Sequence, residues 1–121
     1  MARILFIDDD PFTLETLMKA VGVFGHQAFM AATGKEGLLT AIEQTPDIIF
    51  TDMRLPDMDG LQIISKLKEE PATANIPIMV LSASPVLDAV DEAKSAGAQM
   101  YLEKPLRLQM LQEIIQKYAA E

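Results

Sequence analysis

Ile4-Leu5-Phe6-Ile7-Asp8-Asp9-Asp10 reads as a short buried strand that runs directly into three carboxylates. A continuous apolar run of this length, without polar alternation, suits a central strand covered on both faces. The charge that follows stands at the rim of a core, where like charges repel and packing gains nothing. Asp10 has a structural reason to be there, because Asp10-Pro11-Phe12 carries the signature of a helix N-cap with proline at the first helical position. Asp8 and Asp9 have no such reason. They call for a neutralising partner, and a hard divalent cation that prefers carboxylate oxygen is the chemical match.

Four further runs of strand character follow: Gln27 to Ala31 (the weakest), Asp47 to Thr51, Ile76 to Leu81 and Ala98 to Leu102. Segments of helical period separate them. Leu14, Leu17, Val21 and Phe24 share a face before Gly25, and Leu38, Ala41 and Ile42 mark a second helix after Thr33-Gly34. Ile63, Ile64 and Leu67 mark a third, ended before Pro71. Leu87, Val90 and Ala93 mark a fourth, started by Ser84-Pro85 and stopped by Gly97. Leu108, Leu111, Ile115 and Tyr118 form the last stripe. Strict alternation of strand and helix predicts an α/β fold, a parallel sheet with helices on both faces. In doubly wound sheets of this kind, ligands bind beyond the carboxyl ends of the strands, where the strand order reverses. The expected strands end at Asp8-Asp9, Asp52, Ser82 and Glu103-Lys104-Pro105, which puts three carboxylates, a hydroxyl and an amine at one edge.

Composition narrows the class. A chain of 121 residues is expected to form one domain, residues 1–121, large enough for a core. No apolar stretch approaches the roughly 18 residues needed to span a bilayer. The absence of cysteine removes disulfide and thiolate-metal chemistry and fits a reducing, cytoplasmic compartment. A formal net charge of −8 argues against this domain gripping nucleic acid or an anionic membrane by itself.

Asp52 stands between Ile48-Ile49-Phe50-Thr51 and Met53-Arg54-Leu55-Pro56-Asp57-Met58-Asp59-Gly60. A carboxylate beside two others and a bound Mg²⁺ is held in place as a nucleophile. Mg²⁺ favours octahedral oxygen coordination, commonly one or two carboxylates with waters and phosphate oxygens. Phosphoryl transfer asks mainly for positioning and for neutralisation of charge on three equatorial oxygens. The metal can hold one of those oxygens, Lys104 another, and Ser82 with a nearby backbone N–H the third.

Ile-Leu-Phe-Ile-Asp-Asp-Asp, Thr51-Asp52-Met53-Arg54-Leu55-Pro56-Asp57-Met58-Asp59-Gly60, Leu81-Ser82-Ala83-Ser84 and Ala96-Gly97-Ala98-Gln99-Met100-Tyr101-Leu102-Glu103-Lys104-Pro105 resemble, in order and spacing, the receiver domain of two-component response regulators. This is the chemotaxis-regulator-like family with a phosphoacceptor aspartate, and the likeness spans essentially the whole chain. The resemblance implies a flavodoxin-like, doubly wound, five-stranded parallel sheet of order 2-1-3-4-5 with five helices. It implies that Asp52 accepts phosphate from a phosphohistidine on a sensor histidine kinase or histidine phosphotransfer protein. Asp9 would ligate Mg²⁺ directly and Asp8 largely through water, with Asp52 and the backbone carbonyl of Arg54 adding ligands. Ser82, in place of the commoner Thr, would be the switch hydroxyl and Tyr101 the switch aromatic. Lys104 would pair with the phosphoryl group, Lys104-Pro105 would be cis, and the small Ala83 would leave that group accessible. The same resemblance implies self-catalysed phosphorylation and dephosphorylation rather than enzymatic turnover, and a changed surface around helix 4, strand 5 and helix 5. It implies a downstream effector or fused output domain, no membrane or nucleic-acid contact by this domain, and a monomer or weak phosphorylation-dependent dimer.

Each piece also has a plain structural reading: solvated loop carboxylates, a Pro-Gly turn, a surface lysine, a half-buried strand tyrosine. Their conjunction at four strand ends is what carries the functional reading. A metal-dependent phosphatase or phosphotransferase on a similar fold would need a second acid–base carboxylate two residues beyond the nucleophile, where this chain has Arg54. A flavin-binding module would need a phosphate loop rich in Ser, Thr and Gly where this chain has three carboxylates. A degenerate receiver acting as a phosphorylation-independent docking module is the remaining alternative, and the intact set Asp8, Asp9, Asp52, Ser82 and Lys104 speaks against it. His26 is read as a surface residue, the eight methionines as fillers of core gaps, and Glu69, Glu70 and Glu103 as solvated charges.

Overall fold

The computed structural model describes residues 1–83 and 87–119. Strands and helices alternate: β1 (Arg3–Ile7), α1 (Pro11–Val23), β2 (Gln27–Ala31), α2 (Gly34–Gln44), β3 (Ile48–Asp52), α3 (Gly60–Glu69), β4 (Ile78–Ser82), α4 (Leu87–Ala96), β5 (Met100–Glu103) and α5 (Leu108–Tyr118). All strand pairs are parallel and the sheet runs β2-β1-β3-β4-β5, the flavodoxin-like order. The chain starts one strand in from an edge, steps outward to β2, then crosses back over β1 to β3 and outward again through β4 to β5. The order therefore reverses between β1 and β3.

Side chains of a strand alternate between faces, and here each face has its own core. Ile4, Phe6, Ile48, Phe50, Met79 and Leu81 pack under Leu14, Leu17 and Val21 of α1 and Leu111, Ile114 and Ile115 of α5. Leu5, Ile7, Ile49, Ile78 and Val80 pack under Ala41 of α2, Ile63, Ile64 and Leu67 of α3, and Ala93 of α4. The Phe6 and Phe50 rings stack with centroids 5.2 Å apart, an offset contact worth about 1 kcal/mol beyond the area it buries. The edge strands β2 and β5 are only partly covered, whereas β1, β3 and β4 are buried almost throughout.

Local chemistry sets the helix starts. The Asp10 carboxylate accepts from the Phe12 N–H at 3.1 Å and the Thr13 hydroxyl at 2.7 Å, with Pro11 opening α1. These two hydrogen bonds, from Thr13 first and then Phe12, hold the Asp10 carboxyl below the usual aspartate range. At α3, Asp59 and Gln62 exchange hydrogen bonds in a capping box.

Several boundaries and faces depart from the sequence reading. β4 starts at Ile78 rather than Ile76, because Pro77 has no N–H and only its carbonyl reaches β3, accepting from Ile49 at 3.0 Å. β5 starts at Met100 rather than Ala98, whose N–H instead closes α4 on Ala93 at 2.9 Å. β3 runs one residue later than Asp47 to Thr51, because the Asp47 carboxylate is engaged by the Arg3 N–H at 2.8 Å. Ile42 and Leu108 are exposed, while Ala20 and Ile114 take buried places that the stripes omitted. Ser84-Pro85, read as the start of the fourth helix, and the Leu87 side chain lie outside the described residues. Half of the methionines do not fill the core: Met1, Met18, Met30 and Met110 are exposed.

Candidate functional site

The carboxyl ends of β1 and β3 lie side by side where the strand order reverses; Asp52 is the last residue of β3, and Asp8 follows β1 directly. The backbone of Asp8 still belongs to the sheet, its N–H donating to the Ala31 carbonyl at 3.0 Å. Its side chain is buried: Oδ1 accepts from the Asp10 N–H at 2.9 Å and Oδ2 from Lys104 Nζ at 2.8 Å. Asp52, the last residue of β3, is half-buried; its Oδ2 accepts from the same Nζ at 3.0 Å and its Oδ1 from the Arg54 N–H at 3.4 Å. Asp9 is exposed. One oxygen from each of Asp8, Asp9 and Asp52 lies within 4.8 Å of the others.

The Lys104 N–H donates to the Ser82 carbonyl at 2.8 Å, extending the β4–β5 pairing, and from there the lysine side chain reaches the ends of β3 and β1. The Lys104-Pro105 bond is cis. Gly60 lets α3 begin tightly against β3: a Cβ there would lie 2.8 Å from the Met53 sulfur and 3.0 Å from Met53 Cα. Its N–H donates to the Met53 carbonyl at 2.7 Å, so the loop after Asp52 is tied at its base.

The electrostatics follow from the geometry. Burial pulls the Lys104 ammonium toward deprotonation, yet hydrogen bonds to Asp8 and Asp52 and the charges of both outweigh it, so its pKa is raised. Among the described residues no buried side-chain nitrogen or oxygen lacks a partner. Three carboxylates still face one ammonium, and the solvent-facing Asp9 leaves the cluster open to an ion.

Ser82 is buried at the end of β4, in register with Glu103, whose neighbour in the chain is Lys104. Tyr101 lies apart from the carboxylate cluster: it pairs in register with Val80 and packs, half-buried, on the α2–α3–α4 side of the sheet. Ser82 and Tyr101 nevertheless share that face, two residues apart along paired strands. The Arg54 side chain is exposed, and it is the residue's backbone that meets Asp52. His26 lies at the opposite end of the sheet and is half-buried rather than superficial, its Nδ1 accepting from the Ala2 N–H at 2.9 Å.

One residue of the site's surroundings escaped the sequence reading. Asp57, read as part of a Pro-Gly turn, sends both carboxylate oxygens to the start of α2, accepting from the Gly34 N–H at 2.8 Å and the Lys35 N–H at 2.9 Å. These bonds, that from Lys35 first, hold the Asp57 carboxyl below the usual aspartate range. Its partners are 23 and 22 residues away in the chain, beyond the reach of any local pattern.

A family model described as the response regulator receiver domain matches residues 4–116. Sporulation initiation phosphotransferase F of Bacillus subtilis is 30% identical over 116 residues, covering 96% of this chain and 92% of that protein. Transcriptional regulatory protein KdpE of Mycobacterium tuberculosis is 36% identical over 105 residues, which is 87% of this chain but 45% of that protein. The receiver domain of a sensor histidine kinase from Pseudomonas aeruginosa PAO1, solved with a magnesium ion coordinated in its active-site cleft, is 26% identical with a TM-score of 0.89 over 99% of this chain and 98% of its own. With the family's motifs at the ends of the strands and a sequence match from the first strand into the last helix, the chain belongs to the response regulator receiver domains.

Proposed function

We propose that the domain is a phosphorylation switch in which Asp52 takes a phosphoryl group, with Mg²⁺, from a phosphohistidine of a sensor kinase or phosphotransfer protein. The convergence of Asp8, Asp9, Asp52 and Lys104 at the reversal point of the sheet carries this reading. The donor set fits the ion. All three side chains offer the hard carboxylate oxygens that Mg²⁺ prefers, gathered within 4.8 Å of one another on a side of the cluster that Asp9 leaves open to solvent. Asp9 would hold the ion directly and Asp8 through water, with Asp52 and the Arg54 carbonyl as the further protein oxygens. When bound, Mg²⁺ neutralises charge on one phosphoryl oxygen and on the carboxylates around it.

The remaining chemistry belongs to the chain. An Asp52 oxygen forms its bond to phosphorus as the bond from phosphorus to the donor imidazole nitrogen breaks and the nitrogen keeps the electron pair. Lys104, already on Asp52 Oδ2, follows the charge onto a second phosphoryl oxygen, and the Ser82 hydroxyl donates to the third. Ala83 leaves room for the water that later hydrolyses the acyl phosphate. Incubation with Mg²⁺ and acetyl phosphate is expected to make the protein heavier by a single phosphoryl group, and EDTA to prevent the gain. An unchanged mass with Mg²⁺ present would sink the reading.

The switch runs through the face that Ser82 shares with Tyr101. A hydroxyl drawn toward the new anion vacates space that the half-buried Tyr101 ring can enter, altering the surface of α4, β5 and α5. Phosphorylation shifts this balance only by its differential affinity for the two states. Beryllofluoride is therefore expected to move the NMR signals around Tyr101 in the wild type and to leave them largely in place in Ser82→Ala. Equal shifts in the two proteins would exclude the hydroxyl as the trigger.

A further inference from the structure

We propose that Asp57 is a positioning residue for metal binding and phosphoryl transfer, acting by clamping the loop between β3 and α3 onto the N-terminus of α2. The inference rests on the phosphoacceptor reading above and extends it to a residue that touches neither phosphate nor metal. The loop from Met53 to Gly60 carries the Arg54 backbone that contacts Asp52. It is tied at its base by the Gly60 N–H on the Met53 carbonyl and by an antiparallel bridge between Arg54 and Asp59. Further out, the Leu55 N–H donates to the Met58 carbonyl at 3.1 Å, which leaves Pro56 and Asp57 as the tip. That tip is held only by what it reaches, and it reaches α2.

Three contacts make the clamp. Asp57 accepts from the Gly34 and Lys35 N–H groups, two of the donors at a helix start that have no partner within the helix. The positive end of the helix dipole favours the carboxylate. The Met58 side chain fills the space over Gly34, where an added Cβ would come within 2.3 Å of Met58 Cγ. α2 already has an N-cap of its own, the Thr33 hydroxyl oxygen accepting from the Glu36 N–H at 3.1 Å. Asp57 is therefore a second cap, supplied from the loop that frames the phosphoacceptor, and its main consequence is for the loop. Without the Asp57 bonds the outer part of the loop keeps only the Leu55–Met58 bond and the packing of Met58 over Gly34, and the Arg54 oxygen offered to the ion is less well placed.

Thr33 provides the control that separates positioning from stability. Asp57→Ala and Thr33→Ala each remove one cap of the same helix, but only the first releases the loop. Mg²⁺ affinity by calorimetry, the rate of labelling by acetyl phosphate at saturating Mg²⁺, and the urea midpoint are measured for wild type, both variants and the milder Asp57→Asn. Asp57→Ala is expected to weaken Mg²⁺ binding by about ten-fold, as for loss of an outer-shell partner of a metal ligand. Labelling slows with it, Asp57→Asn falls between, and Thr33→Ala keeps wild-type affinity at comparable loss of stability. Wild-type affinity in folded Asp57→Ala or Asp57→Asn, or an equal loss in Thr33→Ala, would overturn the proposal. Failure of the wild type to bind Mg²⁺ or gain a phosphoryl group would instead overturn the reading on which it rests.

Discussion

Asp52→Asn is expected to fold normally and to gain no phosphoryl group from acetyl phosphate and Mg²⁺. The amide is nearly the size of the carboxylate and its one oxygen can still accept from Lys104, at the cost of the longer bond from the Arg54 N–H, which reaches the other carboxylate oxygen in the wild type. It lacks the charge and the lone-pair availability that make the carboxylate a nucleophile. The variant also removes one of three negative charges whose oxygens lie within 4.8 Å of one another, so its metal-free form is expected to be at least as stable as the wild type. Asp9→Asn relieves the same repulsion but keeps the acceptor: it binds Mg²⁺ more weakly and is labelled more slowly, without losing labelling altogether. Intact-mass measurement separates the two outcomes, and undiminished labelling of Asp52→Asn would exclude it as the acceptor.

Lys104→Ala has the second large effect, and it is expected to depend on the metal. The lysine is the cation bonded to the buried Asp8, and it bonds Asp52 as well. Removing it leaves a buried carboxylate without its counter-charge, a change that costs several kcal/mol at a dry site. Here the lysine side chain is 22% exposed, so solvent screening reduces the loss to about 2 kcal/mol. Mg²⁺ replaces the missing charge, so the ion stabilises the variant more than the wild type; at ten times its dissociation constant linkage alone contributes about 1.4 kcal/mol. Urea unfolding with and without Mg²⁺ checks this, and equal Mg²⁺ stabilisation of both proteins would contradict it. The pH dependence has a definite sign. Because the folded protein raises the Lys104 pKa, its contribution is fully present below the ordinary lysine value of 10.5 and is lost as pH rises through the higher folded value. The metal-free wild type is expected to lose that increment of stability above pH 10.5, and Lys104→Ala to lack it.

Much of this could be read from the chain before any contact was known, and the reason is local. The buried strands β1, β3 and β4 announce themselves because each needs an unbroken apolar run to be covered on both faces. Asp10 announces the helix that follows it because a cap is bonded two or three residues from its own position. The departures are equally physical. Ile42 and Leu108 are as apolar as their buried neighbours, and only the placement of the adjoining helices leaves them outside. His26 looked superficial because nothing nearby in sequence needs it, whereas its partner, Ala2, immediately precedes the adjacent strand β1.

By itself the sequence determined the alternation of strand and helix, the strand ends at which carboxylates, hydroxyl and amine stand, and the excess of negative charge there. These depend on periodicity, capping and turn chemistry, which act over a few residues. Only the tertiary structure decided which of those groups touch. Lys104 reaches Asp8 across 96 positions of chain and Asp52 across 52, and Asp57 reaches α2 across 23. Such pairings are set by strand order, by register and by how closely Gly34 and Gly60 let backbone and side chains approach. They are the joint outcome of many packing contacts, each too weak and too distant in sequence to leave a local pattern.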